Sequence, residues 1–358
     1  MPFIDRQRRA LAILAGCRLD AAVFCARENL RYLCGFTGSD GVLLLAGDRV
    51  QFFTDSRYTT QARGQVVAGR VEEYRVQSEG ISAALRDCAA KRIGFEASLP
   101  YGKVSDLQSR GDSSWEWVAL REELDPLRVA KREVEIAAME CAVQLNALAF
   151  AEIESLIRPG AVERDVALAL EFALKRHGAE EKSFDFIVAS GPRGALPHGV
   201  ASDRQLSPGE LVTIDFGCRV AGYHSDETVT LALGDVADSM RRVYDVVLEA
   251  HDRALAAVQP GVPLVEIDRI ARDHIEAAGY GEYFGHGLGH GVGLEVHEAP
   301  TVSPRSKAVA AEGMVFTVEP GIYLPGVGGV RIEDMVLVTE SGHRVLTQLS
   351  KHYRKLPV

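Results

Sequence analysis

Two apolar stretches of this sequence each carry a carboxylate where a buried strand is expected, and few folds tolerate that. Asp215 follows Leu211-Val-Thr-Ile214, and Glu319 follows Met314-Val-Phe-Thr-Val318. A charge in such a strand is strongly destabilising unless something compensates it. The pattern also occurs twice. Pro260 lies 101 residues after Pro159, and Gly279 lies 101 after Gly178. Each Pro-Gly opens a helical pattern that the later glycine closes. Each half then supplies an acid-glycine strand, Val212-Thr-Ile-Asp215-Phe-Gly217 or Phe316-Thr-Val-Glu319-Pro-Gly321, and a second acid, Asp226 or Glu333. This predicts an internal duplication of a helix–helix–strand unit, with four acids converging as two matched pairs near a pseudo-two-fold axis. Chance Pro-Gly helix starts account for the offset but not for the acids. A single buried acid is equally well explained by protonation or backbone hydrogen bonds. Several together need cations, and divalent metal supplies that charge best.

His290 completes the set. It lies in Gly285-His286-Gly-Leu-Gly-His290-Gly-Val-Gly293, which has too many glycines for a regular helix and suits close backbone packing around a crowded site. A phosphate cradle is the competing reading, but neither G-x-x-x-x-G-K-[ST] nor G-x-G-x-x-G spacing occurs there. Four carboxylates and one imidazole suit Mn, Co, Fe or Zn rather than a thiolate zinc site. So many carboxylates can bridge two ions about 3.5–4 Å apart, as in co-catalytic hydrolases. His198 and His297 are then candidates to stabilise the oxyanion or protonate the leaving nitrogen.

With 358 residues, the chain suggests two domains at roughly 150 residues each. Ala21–Phe24, Val42–Leu45, Gln51–Thr54 and Ile93–Phe95 are strand candidates. Residues 56–68 and 80–91 are helix candidates, giving an α/β domain over 1–125. Pro126 marks the boundary. Residues 126–358 read as an α+β catalytic domain, with long helices over 128–157, 162–177, 238–258 and 264–278. A formal charge of -10 argues against a nucleic-acid groove. Cys17, Cys25, Cys34, Cys88, Cys141 and Cys218 form no C-x-x-C pair and read as reduced thiols of a cytoplasmic protein. Arg6, Arg8 and Arg9 before Leu11–Ala15 imitate a signal peptide, but Arg18 and Asp20 cut the apolar run short. No stretch is expected to reach the roughly 20 apolar residues that span a bilayer.

These segments resemble the "pita-bread" metallopeptidases: Xaa-Pro aminopeptidases, prolidases, methionine aminopeptidases and the related creatinases. The likeness rests on Ser190–His198, Val212–Gly217, Gly222-Tyr-His-Ser-Asp226-Glu-Thr228, Gly285–His290, Val296-His297-Glu-Ala-Pro300, Val318–Tyr323 and Val330-Arg331-Ile-Glu333-Asp334, in family order and spacing. In the first third it rests on Asn29–Ser39 and Phe53–Tyr58. The resemblance implies a pita-bread catalytic domain behind a creatinase/prolidase-like N-terminal domain, which methionine aminopeptidases lack. It places five metal ligands on Asp215, Asp226, His290, Glu319 and Glu333, and catalytic histidines on His198 and His297. His286 and Arg331 line the substrate site, and Tyr323 joins His297 and Arg331 around the proline ring. The expected protein is a homodimer with two divalent ions per chain, Mn first. It hydrolyses the Xaa-Pro bond at the N-terminus of peptides or, alternatively, acts as an Xaa-Pro dipeptidase. Creatinases lack most of these acids, so a metal-free creatinase-like hydrolase or a non-catalytic binding module is disfavoured. One departure is Val229, where many relatives carry a basic residue.

Overall fold

The computed structural model describes residues 2–358 and divides into two compact units, the first ending at Leu127 and the second running Arg128–Val358. The first unit is built on a six-stranded mixed sheet. Its order is Arg70–Glu73, Arg49–Thr54, Val42–Ala46, Ala21–Phe24, Arg92–Glu96, Glu116–Leu120. Leu43, Leu44, Val23 and Phe52 are fully buried because the central strands are covered on both faces.

Several local expectations need correction in this unit. The signal-like segment is a helix, Pro2–Gly16, that buries Ala10 and Leu14. Its Arg6 stacks 4.1 Å over the Tyr32 ring and donates to the Tyr32 carbonyl, so its charge is docked on the protein. The helix expected over 56–68 is only Thr59–Gln65, because Asp55 and Arg57 form a turn ahead of it. The one expected over 80–91 is Gln77–Asp87; Ala89 leaves it with a φ of 51°, a left-handed exit. Pro126 does not exclude helical backbone altogether, since a short 3-10 turn spans Glu122–Leu127.

In the second unit the duplication is explicit in the backbone. Helices Glu133–Ile153 and Glu163–Arg176 pack as one pair, and Asp238–Ala256 and Leu264–Ala277 as the other. Gly160 and Gly261 hold φ values of 87° and 86° before the second helix of each pair. Their N–H groups donate to Leu206 and Ala310, so the same turn is tied down in the same way twice. Each pair covers its own sheet and its own core. Phe150, Leu170, Ile214 and Phe216 fill the first, and Val247, Ile267, Phe316 and Val336 the second.

The first sheet runs Lys355–Leu356, Glu227–Leu233, Leu211–Phe216, Ile187–Ser190. The second runs Glu298–Val302, Gly289–Gly291, Val315–Val318, Asp334–Val338, His343–Val345. An isolated antiparallel bridge, Thr228 to Glu333, links them. The first long helix begins at Glu133 rather than 128, because Ala130 pairs with Met314 and Glu135 accepts the Arg132 N–H at 2.9 Å. With the turn that follows, Glu133–Leu156 is long and apolar enough to cross a bilayer by length and composition, against the sequence expectation. It lies instead in the first core, through Ala142, Leu145, Ala149, Phe150 and Ile153.

Candidate metal centre

Period-two alternation decides which acids face which way. Val212, Ile214 and Phe216 pack on the first helix pair, so Asp215 points to the opposite face of its strand. Its antiparallel partner Thr228 lies beside it, and Asp226, two residues before Thr228 and just ahead of that strand, is on the same side. In the second half Phe316 and Val318 take the helix side, leaving Thr317 and Glu319 opposite. All ten candidates line one cavity of about 450 Å³: His198, Asp215, Asp226, His286, His290, His297, Glu319, Tyr323, Arg331 and Glu333.

The donor set fits divalent cations. Asp226, His290 and Glu333 each offer a ligand atom, all within 4.8 Å of one another. His290 Nε2 lies 3.3 Å from Glu319 Oε1 and 3.6 Å from Asp226 Oδ2. Its Nδ1 faces the Gly291 carbonyl at 3.2 Å, and a carbonyl only accepts. Nδ1 therefore carries the proton, and a lone pair on Nε2 faces carboxylate oxygens. Lone pairs converging in this way repel one another unless a cation sits between them. Asp215 Oδ1 is likewise buried with no hydrogen-bond partner. Burial, then the mutual repulsion of the acids, pushes the Asp226 and Glu333 carboxyls well above their ordinary range. Glu319 is raised by burial too, against the pull of His286 and Arg331. Burial lowers His290, which keeps the ring neutral and able to ligate.

Neighbouring groups aim these ligands. Thr228 Oγ1 donates to Glu333 at 2.6 Å, and Thr317 Oγ1 donates to Glu319 at 3.2 Å while accepting the His290 N–H at 3.1 Å. Sequence reasoning missed both threonines, although Thr228 stands two residues after Asp226 and Thr317 two residues before Glu319, each on the face of its acid. Arg331 is buried, and all three guanidinium nitrogens are engaged. Nη2 binds Asp215 Oδ2 at 2.6 Å, Nη1 binds Pro197 O and Tyr323 Oη, and Nε binds Thr228. Tyr323 Oη lies 2.9 Å from His286 Nε2, while His286 Nδ1 faces the Gly287 carbonyl at 2.7 Å, so the tyrosine donates to the imidazole. His198 and His297 are exposed at the cavity wall, the latter with its ring 4.2 Å from that of His290. Phe184, Ile187, Val200 and Thr301 also line the cavity; no periodic pattern singled them out.

Behind the ligand strands lies a second charged layer. Glu227 and Asp334 each follow a ligand acid and point the other way; both are buried. Lys351 Nζ sits 2.7 Å from Glu227 and 3.4 Å from Asp334. Val229 is buried in the first core on the same face as Glu227, so the basic contact on that face comes from Lys351.

Gly289 lets the His290 strand close on its neighbour. A Cβ there would lie 2.0 Å from the Thr317 carbonyl oxygen. Gly289→Ala is therefore expected to destabilise the protein by about 1–3 kcal/mol through overpacking and to weaken metal binding by displacing His290. Thermal melts and metal titration of the purified variant check both; unchanged metal affinity would refute the second effect.

Residues 137–340 match the profile of metallopeptidase family M24, and residues 6–130 match the creatinase/prolidase N-terminal domain. The uncharacterized peptidase YqhT of Bacillus subtilis is 44% identical over 335 residues, covering 93% of this chain and 95% of its own. Among solved structures, an Xaa-Pro dipeptidase from Bacillus anthracis superposes with a TM-score of 0.95 at 40% identity, covering 99% of both chains. An X-Pro aminopeptidase from Thermotoga maritima superposes with a TM-score of 0.89 at 36% identity, covering 98% of this chain and 99% of its own.

Proposed function

The chain belongs to metallopeptidase family M24, and on that premise we propose that it removes the first residue from peptides whose second residue is proline and whose chain continues beyond it. Asp215, Asp226, His290, Glu319 and Glu333 would hold two divalent ions, with manganese the first choice. Bound there, the ions would supply Lewis-acid charge to a water and to the scissile carbonyl. Arg331 and Tyr323 fix Asp215 and His286, and burial keeps the His290 ring neutral against the opposing pull of Asp215. His198 and His297, exposed on the wall, donate to the developing oxyanion or to the leaving nitrogen. The Xaa-Pro bond has no N–H, so the site needs no acceptor there and can hold the ring against apolar side chains.

The observation that carries the substrate class is the charge of the wall. Among the described residues lining the cavity, five are Asp or Glu and the one arginine or lysine is Arg331, whose guanidinium is already committed. Four of those acids would be offset by the ions they hold, but a dipeptide would still bring a free carboxylate on its proline into a cavity with no uncommitted arginine or lysine to receive it. In a longer peptide that charge lies outside. With Mn-loaded protein, Ala-Pro-Ala is expected to exceed Ala-Pro in kcat/KM by about tenfold or more, the effect of roughly 1.4 kcal/mol. Preference for Ala-Pro would overturn this and favour the second reading, an Xaa-Pro dipeptidase, which the likeness to the Bacillus anthracis structure supports. In that case His198, His286 or His297 would have to meet the carboxylate. No cleavage of either peptide under Mn, Co or Zn would sink the whole proposal.

A cytoplasmic location is part of the same reading, supported by six cysteines that are all unpaired. A homodimer rests on the family resemblance alone, and sedimentation tests it. The acidic net charge gives no support to a nucleic-acid partner.

A further inference from the structure

We propose that Glu163, remote in sequence from every ligand, is a positioning residue that sets where His198 stands in the cavity. Glu163 lies in the first turn of the helix Glu163–Arg176 and is fully buried. A carboxylate buried without compensation would be strongly destabilising, so its partners tell what it is for. Oε1 accepts from the Ser190 N–H at 2.8 Å and the Ser190 hydroxyl at 2.7 Å. Oε2 accepts from the Ser202 N–H at 3.1 Å, the Ser202 hydroxyl at 2.6 Å and the Arg193 guanidinium. Ser190 ends a sheet strand, and Ser202 follows the segment 191–201 that leaves it, well before the next strand begins at Leu211. One carboxylate therefore closes both ends of the loop, and Arg193 ties its inside by donating to the Val200 carbonyl at 2.8 Å.

The middle of this loop supplies Pro197, His198 and Val200 to the cavity wall. His198 itself makes no side-chain hydrogen bond among the described residues, so its place is set by the loop backbone and not by a partner on the ring. The loop touches the centre from the other side as well, since the Pro197 carbonyl accepts from Arg331, which holds Asp215. An ionised carboxylate is needed because all five groups are donors. A glutamine of the same shape would turn an NH₂ toward some of them and loosen one end of the loop.

This inference rests on the reading that His198 takes part in Xaa-Pro turnover. The test is a double-mutant cycle on the full chain loaded with Mn, using Ala-Pro-Ala and a parallel measurement of bound metal. Glu163→Gln is expected to lower kcat by about 10–100-fold, as a misplaced catalytic group does, with two ions per chain retained. In a His198→Ala background the same change should lower kcat by less than about twofold, because the group it positions is gone. An equal loss in both backgrounds would show a general structural role and overturn the proposal, as would full turnover by well-folded Glu163→Gln. Should Glu163→Gln not fold, Ser202→Ala removes one hydroxyl from the same carboxylate, and the cycle is judged by the same criterion. A wild-type chain that cleaves no Xaa-Pro peptide refutes the underlying reading. An active wild type with additive losses refutes the positioning role alone.

Discussion

Asp226→Ala and Glu333→Ala are each expected to reduce Xaa-Pro turnover by on the order of 10³-fold or more while leaving the fold largely intact. These two acids sit with His290 in the tightest cluster of donors, all within 4.8 Å, so either loss removes charge from the middle of the set. The remaining carboxylates can still gather a cation, but its geometry and its hold on water are altered. The fold survives because removal of one acid relieves repulsion: Asp226 is disfavoured as an anion by burial and then by Glu333, Asp215 and Glu319. Metal content per chain should fall below that of the wild type, and circular dichroism should be unchanged. Near-full activity in either variant would refute the ligand assignment.

Chelation should have the second largest effect, and its pH dependence has a definite sign. Asp226, Glu319 and Glu333 have carboxyls raised in the folded chain above the ordinary values of 3.8 and 4.5. Below those ordinary values the groups are protonated both folded and unfolded, and they contribute nothing to the difference. As pH rises past them the unfolded chain ionises first, so the folded chain loses relative stability until its own raised values are passed. Metal-stripped protein should therefore melt at progressively lower temperature from about pH 4 toward neutral. Restoring metal reverses the trend, since binding displaces the protons, and metal affinity should itself rise with pH. At a hundredfold excess over Kd one ion adds about 2.7 kcal/mol. For a unit of this size that corresponds to about 5–10 °C in Tm. Calorimetry at several pH values, with and without chelator, measures this. A stripped protein that is more stable at pH 7 than at pH 5, with no gain on adding Mn, would contradict the arrangement.

The ligands were legible in the sequence because burial makes a strand acid conspicuous, and duplication made Asp215 and Glu319 conspicuous together. The supporting residues were not. Glu163 stands in a helix first turn, where an acid is ordinary, and nothing local distinguishes it from Asp165 beside it. Lys351 belongs to a polar tail whose docking depends on tertiary structure. Helix limits shifted for the same kind of reason. The periodicity over 128–157 is real, but Ala130 is claimed by a strand partner, Met314, that no local pattern reveals. In the first unit the helix Pro2–Gly16 was hidden by its resemblance to a leader, since the Tyr32 carbonyl and ring that dock Arg6 lie far along the chain.

Because the acids are divided between the two halves, the order of synthesis matters. Asp215 and Asp226 leave the ribosome with the first half, and Glu333 emerges roughly 5–20 s later at ordinary elongation rates. During that interval the first helix pair and its core can fold, but the strand Glu227–Leu233 lacks both later neighbours on one edge, Glu333 opposite Thr228 and Lys355–Leu356 opposite Ala232–Leu233. Asp226 immediately precedes that edge strand, and Glu227 opens it. Charges on an unpaired edge discourage other nascent chains from adding a strand. These two acids thus make the edge of the half-made protein a poor template for other chains until its second half arrives.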